Sequence, residues 1–156
     1  MLSYQHLYHA GNLADVQKHA TLAWVLDYMT AKDKPLSYIE THAGRGVYDL
    51  GADEALKTGE AAAGIALAEA LFPPDHPYRL RLDETRAGYG AQAYPGSPLI
   101  AALGLRETDT LHLAELHPQE CAELRAVAAD WGAHVYQQDG FQLALALAPP
   151  TPRRGL

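Results

Sequence analysis

Apolar positions change period several times along the chain, and each change marks an element. Val16, Ala20, Ala23, Trp24 and Val25 recur at helical spacing and predict a helix with one apolar face. Asn12 is a good N-cap residue, and Asp15 three places on resembles a capping box. Lys18 and His19 fall off that face, which leaves them free to point into a cleft. The helix should fade near Lys32, because Pro35 disfavours helical backbone before it. Residues 36–39 then read as a short buried strand ending at Glu40, and a glycine turn from Glu40 to Gly46 follows at once.

Beyond the turn, an Ala-rich pattern predicts a helix over residues 59–71, stopped by Pro73 and Pro74. Residues 74–95, with Arg79, Arg81 and Arg86, read as irregular and interrupt the alternation of strand and helix. Ser97 as N-cap and Pro98 as first helical residue open a helix to about Leu105. Strands over 111–115 and 133–136 alternate with helices over 118–131 and 141–147. This order implies parallel strands with crossover helices, so an α/β doubly wound sheet. Three strands make such a sheet look cut short.

Open α/β sheets bind ligands beyond the carboxyl ends of their strands. Those ends carry Glu40 to Gly46, then Glu115 to His117, then Asp139 and Gly140. Glycine lets backbone approach a ligand without an intervening Cβ. Glu115 is placed to accept hydrogen bonds from ribose hydroxyls, and Asp139 to sit near an adenine ring. A dinucleotide fold puts its ribose acid about 20 residues after the glycines. Glu115 comes much later, so the reading needs an insertion, which the irregular stretch supplies. Taken alone, the turn equally fits an ordinary strand-to-helix connection. Ser97 is explained by its cap role, and no Gly-x-Ser-x-Gly elbow surrounds it. A helix N-terminus there can still face a ligand carboxylate.

Composition narrows the class. The chain has 156 residues, 48% of them hydrophobic, and a formal charge of −7. No apolar run approaches the roughly 18 residues of a membrane span, and the first residues lack a signal-peptide pattern, so the cytoplasm is the default. The negative charge argues mildly against nucleic-acid binding, although a local patch suffices for it. Cys121, the single cysteine, reads as a small buried residue. Among the eight histidines, His6 and His9 are not on a convincing helix, and no spacing argues for a metal site. His42 stands inside the glycine turn.

Several blocks together resemble the bacterial 23S ribosomal RNA adenine methyltransferase family of the RlmJ type. They are Leu2-Ser3-Tyr4-Gln5-His6, His9-Ala10-Gly11-Asn12, Ala14-Asp15-Val16, Lys18-His19, Asp33-Lys34-Pro35 and Thr41-His42-Ala43-Gly44. Tyr94-Pro95-Gly96-Ser97-Pro98-Leu99-Ile100-Ala101, Glu115-Leu116-His117-Pro118, Asp139-Gly140-Phe141-Gln142 and Arg153-Arg154-Gly155-Leu156 continue the series. The resemblance implies a partial Rossmann-like class I methyltransferase sheet with a helical insertion between its first two core strands. Residues 1–51 and 96–156 would belong to the methyltransferase domain, and 52–95 to the insertion. It implies S-adenosyl-L-methionine as cofactor, contacted by His19, His42, Ser97, Glu115, Asp139 and Gly140, with Lys18, Gly44 and Gly46 nearby. Tyr4 and His6 would meet the substrate, an adenine amine of 23S ribosomal RNA, in a monomeric enzyme of ribosomal RNA processing. The family's catalytic Asp-Pro-Pro-Tyr follows Arg-Arg-Gly-Leu and is not in these 156 residues. The expectation is therefore an amino-terminal portion, inactive alone. Two other readings stay open: a non-catalytic module for an adenosine cofactor or RNA, and a nicotinamide oxidoreductase. The latter lacks a full Gly-x-Gly-x-x-Gly, since Asp49 stands where the third glycine belongs.

Overall fold

Asn12 starts α1 (Leu13–Thr30) by accepting the Asp15 amide on its side-chain oxygen at 2.9 Å. The computed structural model describes residues 6–156, and Tyr4 lies outside the described residues. Asp15 does not close a reciprocal capping box, because its carboxylate accepts from the Gly11 amide at 3.1 Å instead. The inner face of α1 is Asp15, Val16, His19, Ala23 and Leu26. Two expectations are corrected here. Trp24 is exposed and stacks on Tyr28 one turn on, with ring centroids 6.1 Å apart. His19 is 1% exposed and lies on the inner face. Counting apolar letters misplaces that face because two of its residues, Asp15 and His19, are polar and buried with hydrogen-bond partners.

The last carbonyls of α1 need donors, and two arginines supply them. Arg106 donates to the carbonyls of Thr30 at 3.0 Å, Lys32 at 2.6 Å and Lys34 at 2.9 Å. Arg154 donates to Lys34 at 2.8 Å and also to the Met29 carbonyl. The chain then enters β1 (Ser37–Glu40), whose residues Ser37 and Tyr38 are buried.

A short strand that the sequence pattern does not reveal follows the glycine turn. It is β2 (Val47–Asp49), and it pairs antiparallel with β3 (Ala93–Pro95), Tyr48 opposite Tyr94. Between them lie α2 (Asp53–Thr58), α3 (Glu60–Ala63), α4 (Ile65–Ala68) and α5 (Pro77–Tyr89). The single helix expected over 59–71 begins at Glu60, is broken at Gly64 and ends as a 3-10 turn over Glu69–Leu71. At Gly64 the backbones cross: a Cβ there would stand 2.1 Å from the Gly11 carbonyl oxygen, and Ile65 N–H donates to that oxygen at 2.8 Å. The irregular stretch expected over 74–95 is instead mostly the 13-residue helix α5. His76 caps it by accepting the Tyr78 amide, Pro77 takes the first turn, and Tyr78, Leu82 and Thr85 bury one stripe. Arg86 and Arg79 fasten its outer side to Glu69 at 2.6 and 3.2 Å.

The second half follows the predicted alternation as α6 (Ser97–Gly104), β4 (Thr110–Ala114), α7 (Pro118–Val127), β5 (His134–Tyr136) and α8 (Gly140–Leu147). Gly96, not Ser97, is the N-cap of α6, so Ser97 keeps its hydroxyl for another partner. The sheet is parallel, in the order β1-β4-β5. On the other edge of β1, Gly155 bridges Ser37 in parallel, and Ile39 N–H donates to the Leu156 carbonyl at 3.0 Å. In chain order the parallel segments therefore sit 3-2-1-4, the start of a Rossmann sheet, with its switch point beside β1. Leu26, Leu36, Leu99, Ile100, Leu113 and Leu124 fill the core at 1% exposure or less, each worth about 1.5–3 kcal/mol by burial.

Candidate functional site

At the carboxyl ends of β1 and β4 a cleft of about 460 Å³ opens. The first turns of α1 contribute Asp15, Lys18 and His19, and the glycine turn contributes His42 and Gly44. Gly96 and Ser97 come from the head of α6, Glu115 and His117 from the end of β4, and Glu120 from α7. His6 and Tyr48 complete the wall. Seven of the residues expected from sequence thus meet in one place: His6, Lys18, His19, His42, Gly44, Ser97 and Glu115. Asp139, Gly140 and Gly46 are not in its lining.

Glu115 holds the two strand ends together. One carboxylate oxygen accepts the Gly44 amide at 2.8 Å, and the other accepts the His117 amide at 2.7 Å. Each oxygen keeps a lone pair for a further donor. Gly44 has φ +66°, and a Cβ there would lie 2.4 Å from the Tyr48 hydroxyl, so both backbone and space require glycine. Gly46 also has positive φ, but it faces Leu124, Val127 and Trp131, where it allows the turn to pack on α7. Gly140 lets the head of α8 touch the Thr41 backbone, since a Cβ would stand 2.0 Å from the Thr41 carbonyl oxygen. Asp139 caps α8 by accepting the Gln142 amide at 3.0 Å. His42 is exposed and meets Phe141 edge to face, with centroids 5.4 Å apart.

Polar groups that the sequence reading passes over organise the wall. Asp15 is 2% exposed and accepts from His6 Nε2 at 2.7 Å and Lys18 Nζ at 3.0 Å. Burial works to raise its pKa, but the His6 hydrogen bond and the basic groups around it, His19 and His6 ahead of Lys18, outweigh that and hold the carboxyl well below the usual range. Glu120 takes a two-point grip from Arg45, Nε at 2.9 Å and Nη2 at 2.5 Å. Glu40 accepts from the Ser97 hydroxyl and from Tyr38 at 2.9 Å. Burial pushes its carboxyl up to about 7, with those two hydrogen bonds opposing. Burial depresses the His19 imidazole to about 3, so the ring is neutral at physiological pH. His117 Nδ1 is buried without a hydrogen-bond partner among the described residues. In sequence Asp15 reads only as part of a helix cap, and nothing singles out Glu120. Only their partners elsewhere in the chain reveal them.

The cleft thus combines carboxylate acceptors with a lone ammonium whose side chain is 57% exposed, a neutral imidazole and glycine backbone open to close approach. With Asp15, Glu115 and Glu120 against one ammonium, that set suits a ligand that carries positive charge along with hydroxyls and a ring. Among the described residues no group of His, Cys, Asp and Glu is arranged to hold a metal ion, and no helix is long and apolar enough to cross a membrane.

Comparison with known proteins adds an independent line. Residues 33–156 match the family model described as ribosomal RNA large subunit methyltransferase D, RlmJ. The chain is 45% identical to the ribosomal RNA large subunit methyltransferase J of Escherichia coli over 163 residues, covering 100% of this chain and 57% of that protein. It is 42% identical to the protein of the same name from Haemophilus influenzae, again across the whole chain and 57% of the relative. The crystal structure of protein LPL1258 from Legionella pneumophila superposes with a TM-score of 0.79 at 39% identity, covering 94% of this chain and 55% of that one.

Proposed function

The chain belongs to the RlmJ family of ribosomal RNA methyltransferases, and from that premise we propose that its cleft is the S-adenosyl-L-methionine site of an adenine-N6 methyltransferase acting on 23S ribosomal RNA. The chain spans 57% of the length of these curated relatives. The observation that carries the reading is the clasp of Glu115 on Gly44, which brings a pre-oriented acceptor and a Cβ-free backbone to one wall.

The residues fit such a ligand. The cleft volume of about 460 Å³ lies within the roughly 300–1,000 Å³ of small-molecule sites. The partnerless His117 Nδ1 gives a nucleoside a polar atom to meet. When bound, the cofactor supplies an electrophilic methyl group on its sulfonium. Glu115 uses its remaining lone pairs to accept ribose hydroxyls, its orientation already set by two amides. His19 and Ser97 flank the methionine end, His42 and Phe141 stand at the rim, and Asp139 and Gly140 lie at the neighbouring strand end. Lys18 and His6, both held by Asp15, border the side from which RNA approaches, with Tyr4 assigned to the same role. The target adenine is presented unpaired, as enzymes acting on a base require. Residues 52–95 form an inserted subdomain, and the enzyme works as a cytoplasmic monomer in ribosomal RNA processing.

The sequence holds no Asp-Pro-Pro-Tyr. The proposal therefore assigns these 156 residues donor binding without methyl transfer. Titration calorimetry with S-adenosylmethionine is the test. Binding by the wild-type chain, weakened in both His42→Ala and Glu115→Ala, is the expected result. Unchanged affinity in both variants would sink the assignment, and methylation of 23S RNA by the 156-residue chain would sink the claim of inactivity.

A further inference from the structure

His19 does not stand alone in the cleft wall. Its Nδ1 lies 3.0 Å from the Tyr94 hydroxyl, which lies 2.9 Å from the Tyr78 hydroxyl. Tyr78 and Tyr94 are 0% exposed and His19 is 1% exposed, so both hydroxyls are shut away from solvent and the row meets the cleft only at the His19 end. It crosses three elements: Tyr78 on α5, Tyr94 on β3 and His19 on α1.

Two proton orders are possible in such a row. In the first, Tyr78 donates to Tyr94 and Tyr94 donates to Nδ1. Both hydroxyl protons then have acceptors. In the reverse order, Nδ1–H donates to Tyr94 and Tyr94 donates to Tyr78. The Tyr78 proton is then left without an acceptor, because its hydroxyl has no other hydrogen bond among the described residues. The first order leaves only Nε2–H without an acceptor among the described residues, and His19 borders the cleft, where water or a ligand can accept that proton. The reverse order strands the proton of the fully buried Tyr78 hydroxyl, which costs about 1–3 kcal/mol and decides for the first order. A neutral ring that accepts at Nδ1 carries its proton on Nε2. Nε2 has no partner among the described residues, and His19 borders the cleft.

We propose that Tyr94, which accepts from Tyr78 and donates to Nδ1, is the positioning residue that locks His19 as the Nε2–H tautomer, so that it presents a hydrogen-bond donor to an acceptor on the ligand, the carboxylate of the methionine end. Residues 52–95 would then be more than an appended module, because they supply the groups that set the proton on a cleft residue. The identity of the ligand rests on the function proposed above, but the tautomer does not.

The test separates the two. In ligand-free, nitrogen-15-labelled protein, the His19 ring signals should report Nε2–H. Tyr94→Phe keeps the ring and removes the donor. It should give a mixed tautomer population and weaken S-adenosylmethionine binding by about tenfold, one hydrogen bond's worth, with circular dichroism unchanged. Tyr78→Phe leaves Tyr94 able to donate, so its His19 signals should stay Nε2–H. A wild-type ring protonated on Nδ1, or a Tyr94→Phe variant with unaltered tautomer, overturns the proposal. If Tyr94→Phe fails to fold, the wild-type and Tyr78→Phe spectra still decide. Absence of S-adenosylmethionine binding to wild type would refute the cofactor reading and leave the tautomer assignment standing.

Discussion

Glu115 accepts the Gly44 amide at 2.8 Å, across 71 positions of chain, and so joins the loop after β4 to the turn after β1. The clasp places an acceptor and a stretch of bare backbone side by side before any ligand arrives. Its consequences can be measured on either partner.

Gly44→Ala should be destabilising. A left-handed backbone costs an L-residue about 1–2 kcal/mol, and the new methyl would press on the Tyr48 hydroxyl. In a chain of this size that lowers Tm by about 2–4 °C per kcal/mol, readable by thermal denaturation. Adding Tyr48→Phe should restore part of the loss, because it removes the atom being struck. A double variant no more stable than Gly44→Ala would place the cost in the backbone alone.

Arg45→Met should cost about 3–5 kcal/mol, since it leaves the Glu120 carboxylate buried without its partner. Replacing both residues by apolar ones of similar size should cost far less. A denaturant-based double-mutant cycle measures the difference.

His19 gives stability a pH dependence on the acid side. Its folded pKa is about 3 and its ordinary value 6.5, so between these the unfolded chain binds the extra proton. Its contribution is complete above pH 6.5 and is lost as pH falls toward 3, with a slope of about 1.4 kcal/mol per pH unit. His19→Asn should flatten the stability profile in that window when followed by urea titration.

Glu40 acts with the opposite sign. Its folded carboxyl titrates near 7 against an ordinary 4.5, so between these the folded chain holds the extra proton. Stability from this group is complete below pH 4.5 and is lost as pH rises through 7. Glu40→Gln, which stays neutral, should raise Tm at pH 8 and leave it nearly unchanged at pH 4.5. Equal effects at both values would mean that the carboxyl is not the titrating group.

Arg154→Met should lower stability by about 1–3 kcal/mol, because its guanidinium serves the Met29 and Lys34 carbonyls at the end of α1. The loss should appear in thermal denaturation while the residues of the cleft keep their places.

Much of this protein is legible in sequence. The apolar runs of β1, β4 and β5, the helices between them and the strand-end residues Glu115 and Asp139 follow from periods of two and 3.6 and from Gly and Pro punctuation. Such signals act over a few residues, so one chain read locally suffices for them. The azimuth of α1, the helix α5, the antiparallel pairing of β2 with β3 and the true partner of Ser97 were decided only by tertiary structure. Each depends on groups that arrive from far along the chain. His19 and Asp15 count as polar until Tyr94, 75 positions away, and His6 make their burial affordable. The burial of a polar side chain is settled by the partner that meets it, and no local pattern records that partner.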